Sequence, residues 1–387
     1  MSSRDQVIRV DVQSEEQIQL LQALETSQEW ELDFWLHPVS TELPVDIRVP
    51  RSSLSSVKDY LQAHSIPFSV MIDNLQELLD EEKAEMEVNR MREHSTRSFN
   101  FGAYHTLDTI YSWMDTLVAE HPNLITKQEI GRSYENRPMY VLKFSTGGSN
   151  RPAIWIDTGI HSREWVSPAT GVWTANKIAT DYGTDASLTS LLNTMDIYLL
   201  ILTNPDGYVY THSNDRMWRK TRSRNSGSIC RGVDPNRNWD AGFGGPGASS
   251  SPCSDSYRGP SAHSEIEVKN VVDLIKSHGN FKAFISVHAY SQLLMYPYGY
   301  TCTNVPHQAE LTKPAVVAST GTLVAMVSSC HPIRSSPLPL RRGLIHLECK
   351  EPMTPSLLWT FVGSVFLCTA FQKPDTENLV LKTVYQW

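Results

Sequence analysis

No apolar run in the chain reaches the roughly 18 residues a membrane-spanning helix needs, so nothing in it reads as a helical anchor. Basic excess is missing too: 34 Lys and Arg stand against 42 Asp and Glu, a net charge of -8, which leaves no electrostatic footprint for nucleic acid. The N-terminus, MSSRDQVIRVDV, shows no charged segment followed by an apolar core and a small-residue cleavage site, so these residues spell no export signal. What remains is a globular composition, 40% hydrophobic and 20% charged over 387 residues, long enough for more than one domain and a sizeable core. A soluble protein acting on a small or peptidic partner is the expectation. One feature opposes the missing export signal. Cys230 and Cys253 bracket a segment rich in Gly, Ser, Pro and Asn, which suits a disulfide-closed loop in an oxidising compartment better than a reduced pair.

Along the chain two patterns follow each other. In the first, QVIRVDV, WELDFWL, PVDIRVP and PFSVMID read as strands, and Glu15 to Leu24 and Ser53 to His64 as helices. That order predicts a small α+β open sandwich, two helices on one face of an antiparallel sheet, over residues 1–80. A charged helix then runs into NRMREHSTRSF, so that residues 81–98 form a connecting helix and linker that a trypsin-like protease could cut at Arg90 or Arg92. From Phe99, apolar runs such as PAIWIDTGI, DIYLLILTNPDG and FKAFISVHAYS alternate with helical stretches, which predicts an α/β unit with a mixed sheet covered on both faces. Functional groups in such sheets gather beyond the carboxyl ends of the strands. His161 and Glu164 follow one such strand, Asn204 and Asp206 another, and His288 ends a third.

His161 and Glu164 form an H-x-x-E pattern, which by itself fits a chance meeting in a loop as well as a metal site. The chain contains its own control, because His307 and Glu310 share the spacing with no strand before them. Context separates the two: only the first pair leaves a strand end, with His288 at another end of the same expected sheet. Two His and one Glu with a fourth position open is the ligand set of a catalytic zinc site.

Four longer stretches, WIDTGIHSREW, TNPDGYVYTHSNDRMWRKTRS, GVDPNRNWDAGFGGPGASSSPCS and FKAFISVHAYSQLLMYPYGY, together resemble the zinc metallocarboxypeptidases of the pancreatic carboxypeptidase A group, A2/A1 type. The first hundred or so residues resemble that group's activation segment, and the likeness runs from about Asp5 to Tyr300. The resemblance implies an eight-stranded type of mixed sheet flanked by helices, one zinc ion held by His161, Glu164 and His288, and peptide or protein C-termini as substrates. It implies that Arg219 stabilises the oxyanion, that Asn236 and Arg237 hold the substrate's terminal carboxylate, and that Arg163 and Tyr290 line the cleft. Met295 matches a pocket-lining position and leans towards a large apolar side chain, aromatic or aliphatic. Cleavage at Arg92 would release the activation segment of a secreted, monomeric zymogen, and Cys230–Cys253 matches the group's disulfide.

After Tyr300 the likeness fades, and from about Thr320 it is gone. The family's F-E-L-R-D-T-G-R-Y-G-F, whose glutamate is the general base, is missing, so residues 99–319 are expected to be a partial catalytic domain and 320–387 a divergent tail. The codons permitted for Gly321 to Pro332, read in a shifted frame, include D-T-G-R-Y-G-F-L-L-P in order. The tail is therefore read as out-of-frame translation after a skipped block, by splicing or by a misplaced exon boundary; a transcript continuous across Ala318 to Gly321 would refute this. A sheet short of strands is expected, and the chain is read as the zymogen of a zinc exopeptidase that releases single C-terminal amino acids, or alternatively as a catalytically impaired member, without its base, that binds zinc and peptide carboxylates. Glu310, Glu348 and Glu351 lie in no matching motif, and Cys302, Cys330, Cys349 and Cys368 have no assigned pairing.

Overall fold

Short β-branched strands and two amphipathic helices build the N-terminal part of the computed structural model, which describes residues 4–27, 29–96, 98–290, 293–295, 325–326 and 365–371. Two compact units result, one up to Ala103 and the other from Tyr104. In the first, strand β1 (Gln6–Val10) is followed by helix α1 (Glu15–Thr26), β2 (Asp33–Phe34), β3 (Val45–Val49), α2 (Leu54–Ala63) and β4 (Phe68–Ile72). The sheet order is β2-β3-β1-β4, antiparallel throughout. Helix α1 starts at Ser14 because its hydroxyl accepts from Gln17 N while Gln17 Oε1 accepts from Gln13 N, which satisfies two end donors at once. Ile18, Leu21 and Leu24 of α1 and Val57 and Leu61 of α2 share one core with Ile8, Val10, Ile47 and Val49, as an open sandwich requires.

Two details differ from the sequence reading. WELDFWL shortens to Asp33–Phe34, because Trp35 N and Leu36 N both donate to Asp46 O and the ladder ends there. The charged helix α3 (Leu75–Thr96) continues past Arg92, where the sequence reading ends it, with Arg90 paired to Glu87 at 2.7 Å.

The second unit opens with α4 (Leu107–Glu120) and the antiparallel pair β5 (Ile125–Arg132) and β6 (Pro138–Phe144). Then come β7 (Ala153–Thr158), α5 (Val166–Asp181), α6 (Ala186–Thr194), β8 (Asp196–Leu200), α7 (Pro205–Ser213), α8 (Ile266–His278) and β9 (Phe281–Ala289). Strands β10 (Leu293–Met295), β11 (Ala325–Met326) and β12 (Val365–Phe371) complete an eight-stranded mixed sheet of order β11-β10-β12-β9-β7-β8-β6-β5. All five residues of β8 are buried, which is why its sequence reads as a continuous apolar run rather than an alternating one. Trp155 and Phe281 of the sheet pack with Trp239 and with Val268, Val271, Val272 and Ile275 of α8. β7 lies parallel to both β8 and β9, so the ends of β7 and β9 open side by side.

The tail corrects one expectation. Rather than leaving the sheet without a strand beside β9, it supplies β12, antiparallel to β9 from Val365↔Ala289 to Phe371↔Ala283. The physical reason lies in VFLCTAF itself, an apolar run of strand length, which pairs with backbone groups that an open edge of β9 would leave unpaired. Residues Glu310, Glu348, Glu351, Cys302, Cys330 and Cys349, and the stretch Gly321 to Pro332 except Ala325–Met326, lie outside the described residues.

One buried acid has no counter-charge in its hydrogen-bond set. Glu267, in the first turn of α8, is 0% exposed; one carboxylate oxygen accepts from Tyr134 N at 2.9 Å and the other has no partner. Burial raises its pKa from 4.5 to about 8, with the Tyr134 hydrogen bond opposing and Glu265 and Asp206 adding to the rise. The folded chain therefore holds a proton there that the unfolded chain releases near pH 4.5. This stability is present below that pH and is lost as pH rises towards 8, by an amount on the order of 5 kcal/mol. In Glu267→Gln the acceptor for Tyr134 stays and the titration goes. Thermal unfolding should show the variant gaining on the wild type between pH 5 and pH 8; a difference independent of pH would contradict a protonated Glu267.

Candidate metal centre

The loop after β7 carries the first two of the three expected ligands. Gly159, at φ +65°, turns the chain out of the strand where an added Cβ would lie 3.2 Å from Ile201 O. His161 and Glu164 follow within that loop, while His288 lies in the adjacent parallel strand β9. All three are buried, at 0%, 9% and 3% exposure, and one ligand atom from each lies within 4.8 Å of the others. His161 Nδ1 is 2.7 Å from Glu164 Oε1, and His288 Nδ1 is 3.2 Å from both His161 Nδ1 and Glu164 Oε2.

Asp234 decides how this cluster is read. Its Oδ1 lies 3.1 Å from His161 Nε2 and gives that nitrogen's hydrogen an acceptor, the tautomer in which Nδ1, 2.7 Å from Glu164 Oε1, can present its lone pair to a metal. That lone pair would face a carboxylate, an arrangement that a cation between them would stabilise, with the Arg219 guanidinium 3.6 Å from Glu164 Oε1 as the other positive charge nearby. Two imidazoles and a carboxylate are also the donor types zinc prefers. The group fits the metal.

Electrostatics support the same reading. Burial alone would raise the pKa of Glu164, but the His161 and His288 imidazoles outweigh it and hold the carboxyl well below the usual range. For His161 burial is the largest influence and pushes the pKa down, with Arg219 acting in the same direction and Glu164 and Asp234 opposing, a shift towards the neutral ring that a metal ligand needs. Asp234 is likewise raised by burial but held well below its ordinary value by Arg219 and His161.

Arg219 is fixed beside the cluster. Its Nε and Nη2 donate to Asp234 Oδ2 at 3.1 and 3.0 Å, and Nη1 stands 3.6 Å from Glu164 Oε1. One carboxylate thus orients both a ligand histidine and the guanidinium. Asp234 also accepts from Asn236 N at 2.9 Å and so caps the short turn Pro235–Arg237 that carries the expected carboxylate clamp. Asn236 is buried with neither its amide oxygen nor its amide nitrogen hydrogen-bonded, a defect that a polar ligand would remove. Arg237 is buried and donates from Nε to Gly247 O at 2.9 Å.

The remaining expected residues are placed as follows. Arg163 donates to Met217 O at 3.2 Å and lies 3.6 Å from Asp255 Oδ2. The segment that carries Arg219 is stitched to the ligand loop by Ser162 Oγ donating to Trp218 O at 2.6 Å and Ser162 N to Arg219 O at 3.2 Å. Tyr290 is half-buried and follows His288 by two residues. Cys230 and Cys253 are bonded, closing a loop between residues 23 apart. Arg92 belongs to the first unit, in α3. Asn204, read from its place after β8, caps α7 through Gly207 N, and Asp206 accepts from Ser133, Glu135 and Arg137; both are structural here. Asp234 is the residue that sequence reasoning missed. In DPNRNW it reads as an ordinary turn-opening Asp-Pro, and only the fold brings it to His161.

Comparison with known proteins agrees with this geometry. Residues 110–328 match the zinc carboxypeptidase family and residues 8–82 the carboxypeptidase activation peptide. Rat carboxypeptidase A1 is 58% identical over 371 residues, covering 96% of this chain and 86% of that protein. Mouse carboxypeptidase A2 is 60% identical over 311 residues, 80% of this chain and 74% of that one. A match of 371 residues carries the likeness past Thr320 into the tail, further than the motifs alone do. Among solved structures, thrombin activatable fibrinolysis inhibitor aligns with a TM-score of 0.70 at 37% identity, covering 82% of this chain and 80% of the other. Carboxypeptidase A from Helicoverpa armigera aligns with a TM-score of 0.74 at 28% identity, covering 83% and 78%. With its activation peptide, its mixed sheet and a His, Glu, His cluster suited to zinc, the chain belongs to the zinc carboxypeptidase family.

Proposed function

We propose that the chain is the zymogen of a zinc exopeptidase that removes single C-terminal residues, aromatic or aliphatic, from peptides. The observation that carries this reading is the pair of unsatisfied amide atoms on buried Asn236, in the same turn as the buried Arg237 guanidinium. A free α-carboxylate would accept from the Asn236 amide nitrogen, and a neighbouring guanidinium suits a carboxylate because it can take one through two parallel hydrogen bonds. Zinc held by His161, Glu164 and His288 would supply Lewis acidity for the scissile carbonyl and its attacking water. Arg219, already oriented by Asp234, would aim its donors where the oxyanion develops. Arg163 and Tyr290 would line the cleft, and Met295, which is buried, would favour a large apolar side chain. The chain would be secreted, in keeping with the Cys230–Cys253 bond, and act as a monomer.

A trypsin-like protease would release residues 1–80 and the connecting 81–98 by cutting at Arg92. Because Arg92 lies within α3, the last turns of that helix must open before an extended segment can enter a protease.

The missing F-E-L-R-D-T-G-R-Y-G-F favours a second reading, a family member that binds but turns over slowly. Loss of a general base typically lowers rates by about 10²- to 10⁴-fold. Trypsin-treated, zinc-loaded protein given a peptide ending in Phe, and the same peptide amidated at its C-terminus, separates the readings. Release of Phe from the free acid alone supports the exopeptidase. Saturable binding of the free acid without release supports the second reading, and equal treatment of acid and amide would refute the Asn236 and Arg237 clamp.

A further inference from the structure

His288 has its own orienting chain, distinct from the Asp234 carboxylate that serves His161. β7 and β9 run parallel with Asp157 directly opposite Ser286, and Trp155 and His288 stand two residues away on the same strands. Period-two alternation therefore puts Trp155, Asp157, Ser286 and His288 on one face of the sheet. All four are buried. Trp155 Nε1, which can only donate, gives its hydrogen to Asp157 Oδ2 at 2.7 Å. The Ser286 hydroxyl gives its single hydrogen to Asp157 Oδ1 at 2.6 Å. Towards His288 Nε2, 3.2 Å away, that hydroxyl can then only accept.

We infer that Asp157 and Ser286 are positioning residues for the metal: by fixing the direction of these hydrogen bonds they keep the hydrogen of His288 on Nε2 and its lone pair on Nδ1, the atom facing His161 and Glu164. If the Ser286 hydroxyl were free to turn, it could donate to Nε2 instead and leave Nδ1 protonated, the tautomer that cannot ligate. Asp157 prevents this by taking the hydroxyl hydrogen, and Trp155 holds Asp157 in place. The chain ends on a carboxylate, as the His161 chain does, but reaches it through a hydroxyl.

This inference rests on the ligand set proposed above, so the test keeps the two apart. Zinc affinity is measured on the full chain by chelator competition for the wild type, Ser286→Ala, Ser286→Thr, Asp157→Asn and His161→Ala. Loss of an orienting partner typically weakens metal binding by about 10- to 100-fold. That loss is expected for Ser286→Ala and Asp157→Asn, with Ser286→Thr close to wild type because it keeps the hydroxyl. A merely structural role would lower the unfolding temperature and leave zinc affinity unchanged. Should Asp157→Asn fail to fold, ¹⁵N shifts of the His288 ring in the zinc-free wild type report the tautomer directly. Nδ1 protonated, or Ser286→Ala binding zinc within about twofold of wild type, overturns the inference. His161→Ala binding zinc normally would instead overturn the ligand set.

Discussion

In His161→Ala, zinc affinity should fall on the order of 10²-fold, and any C-terminal hydrolysis should fall with it. Two protein ligands would remain, Glu164 and His288, and Asp234 would lose one of the groups it holds. Apparent binding energies of about 10–16 kcal/mol for a four-ligand zinc site share out at roughly 3 kcal/mol per ligand. That corresponds to a loss of affinity on the order of 10²-fold. His161 also helps hold the Glu164 and Asp234 carboxyls below their ordinary range, so in the zinc-free chain the substitution should raise both. Unfolding of the zinc-free variant should change by the cavity left behind, a few kcal/mol at most, and by this lost compensation. Chelator competition and metal content after dialysis check this, and a variant with unchanged zinc affinity would show that the ligands lie elsewhere.

That His161, Glu164 and His288 were legible before the fold was known follows from where they stand. Strand ends in a parallel sheet are marked in sequence by the close of an apolar run, and both β7 and β9 end that way. The orienting residues were not legible for the opposite reason. Asp157 and Ser286 sit inside strands, and their partnership depends on the β7 to β9 register, which no local pattern encodes. Asp234 lies 73 residues from His161 in an irregular loop, where periodicity gives no signal at all. Strand β12 shows the same limit from another side. VFLCTAF lies in the divergent tail, where no strand was expected, because the tail departs from the pattern that placed the other strands.

Asp234→Asn should be costly in stability as well as in zinc affinity, because one buried carboxylate serves four donors. Oδ1 accepts from His161 Nε2 and Asn236 N, and Oδ2 from Arg219 Nε and Nη2. An asparagine of the same shape must point its NH2 group at one of these sets, donor against donor, whichever way the amide is turned. Arg219 would then be buried with Glu164, 3.6 Å away, as its remaining counter-charge among the described residues. Removing one partner of a buried ion pair typically costs about 3–5 kcal/mol. The pH dependence has a definite sign. Asp234 is held well below its ordinary 3.8, so its contribution is complete above that value and is lost only as pH falls through the depressed one. The gap between wild type and variant should accordingly stay constant from pH 5 to pH 8 and close only in strong acid, unlike the Glu267 effect, which operates inside that range. Denaturant unfolding at several pH values, with chelator competition alongside, separates the contributions. A stability loss under about 1 kcal/mol, less than one charged hydrogen bond contributes, would mean that Glu164 alone neutralises Arg219. Unchanged zinc affinity would mean that His161 keeps its orientation without Asp234.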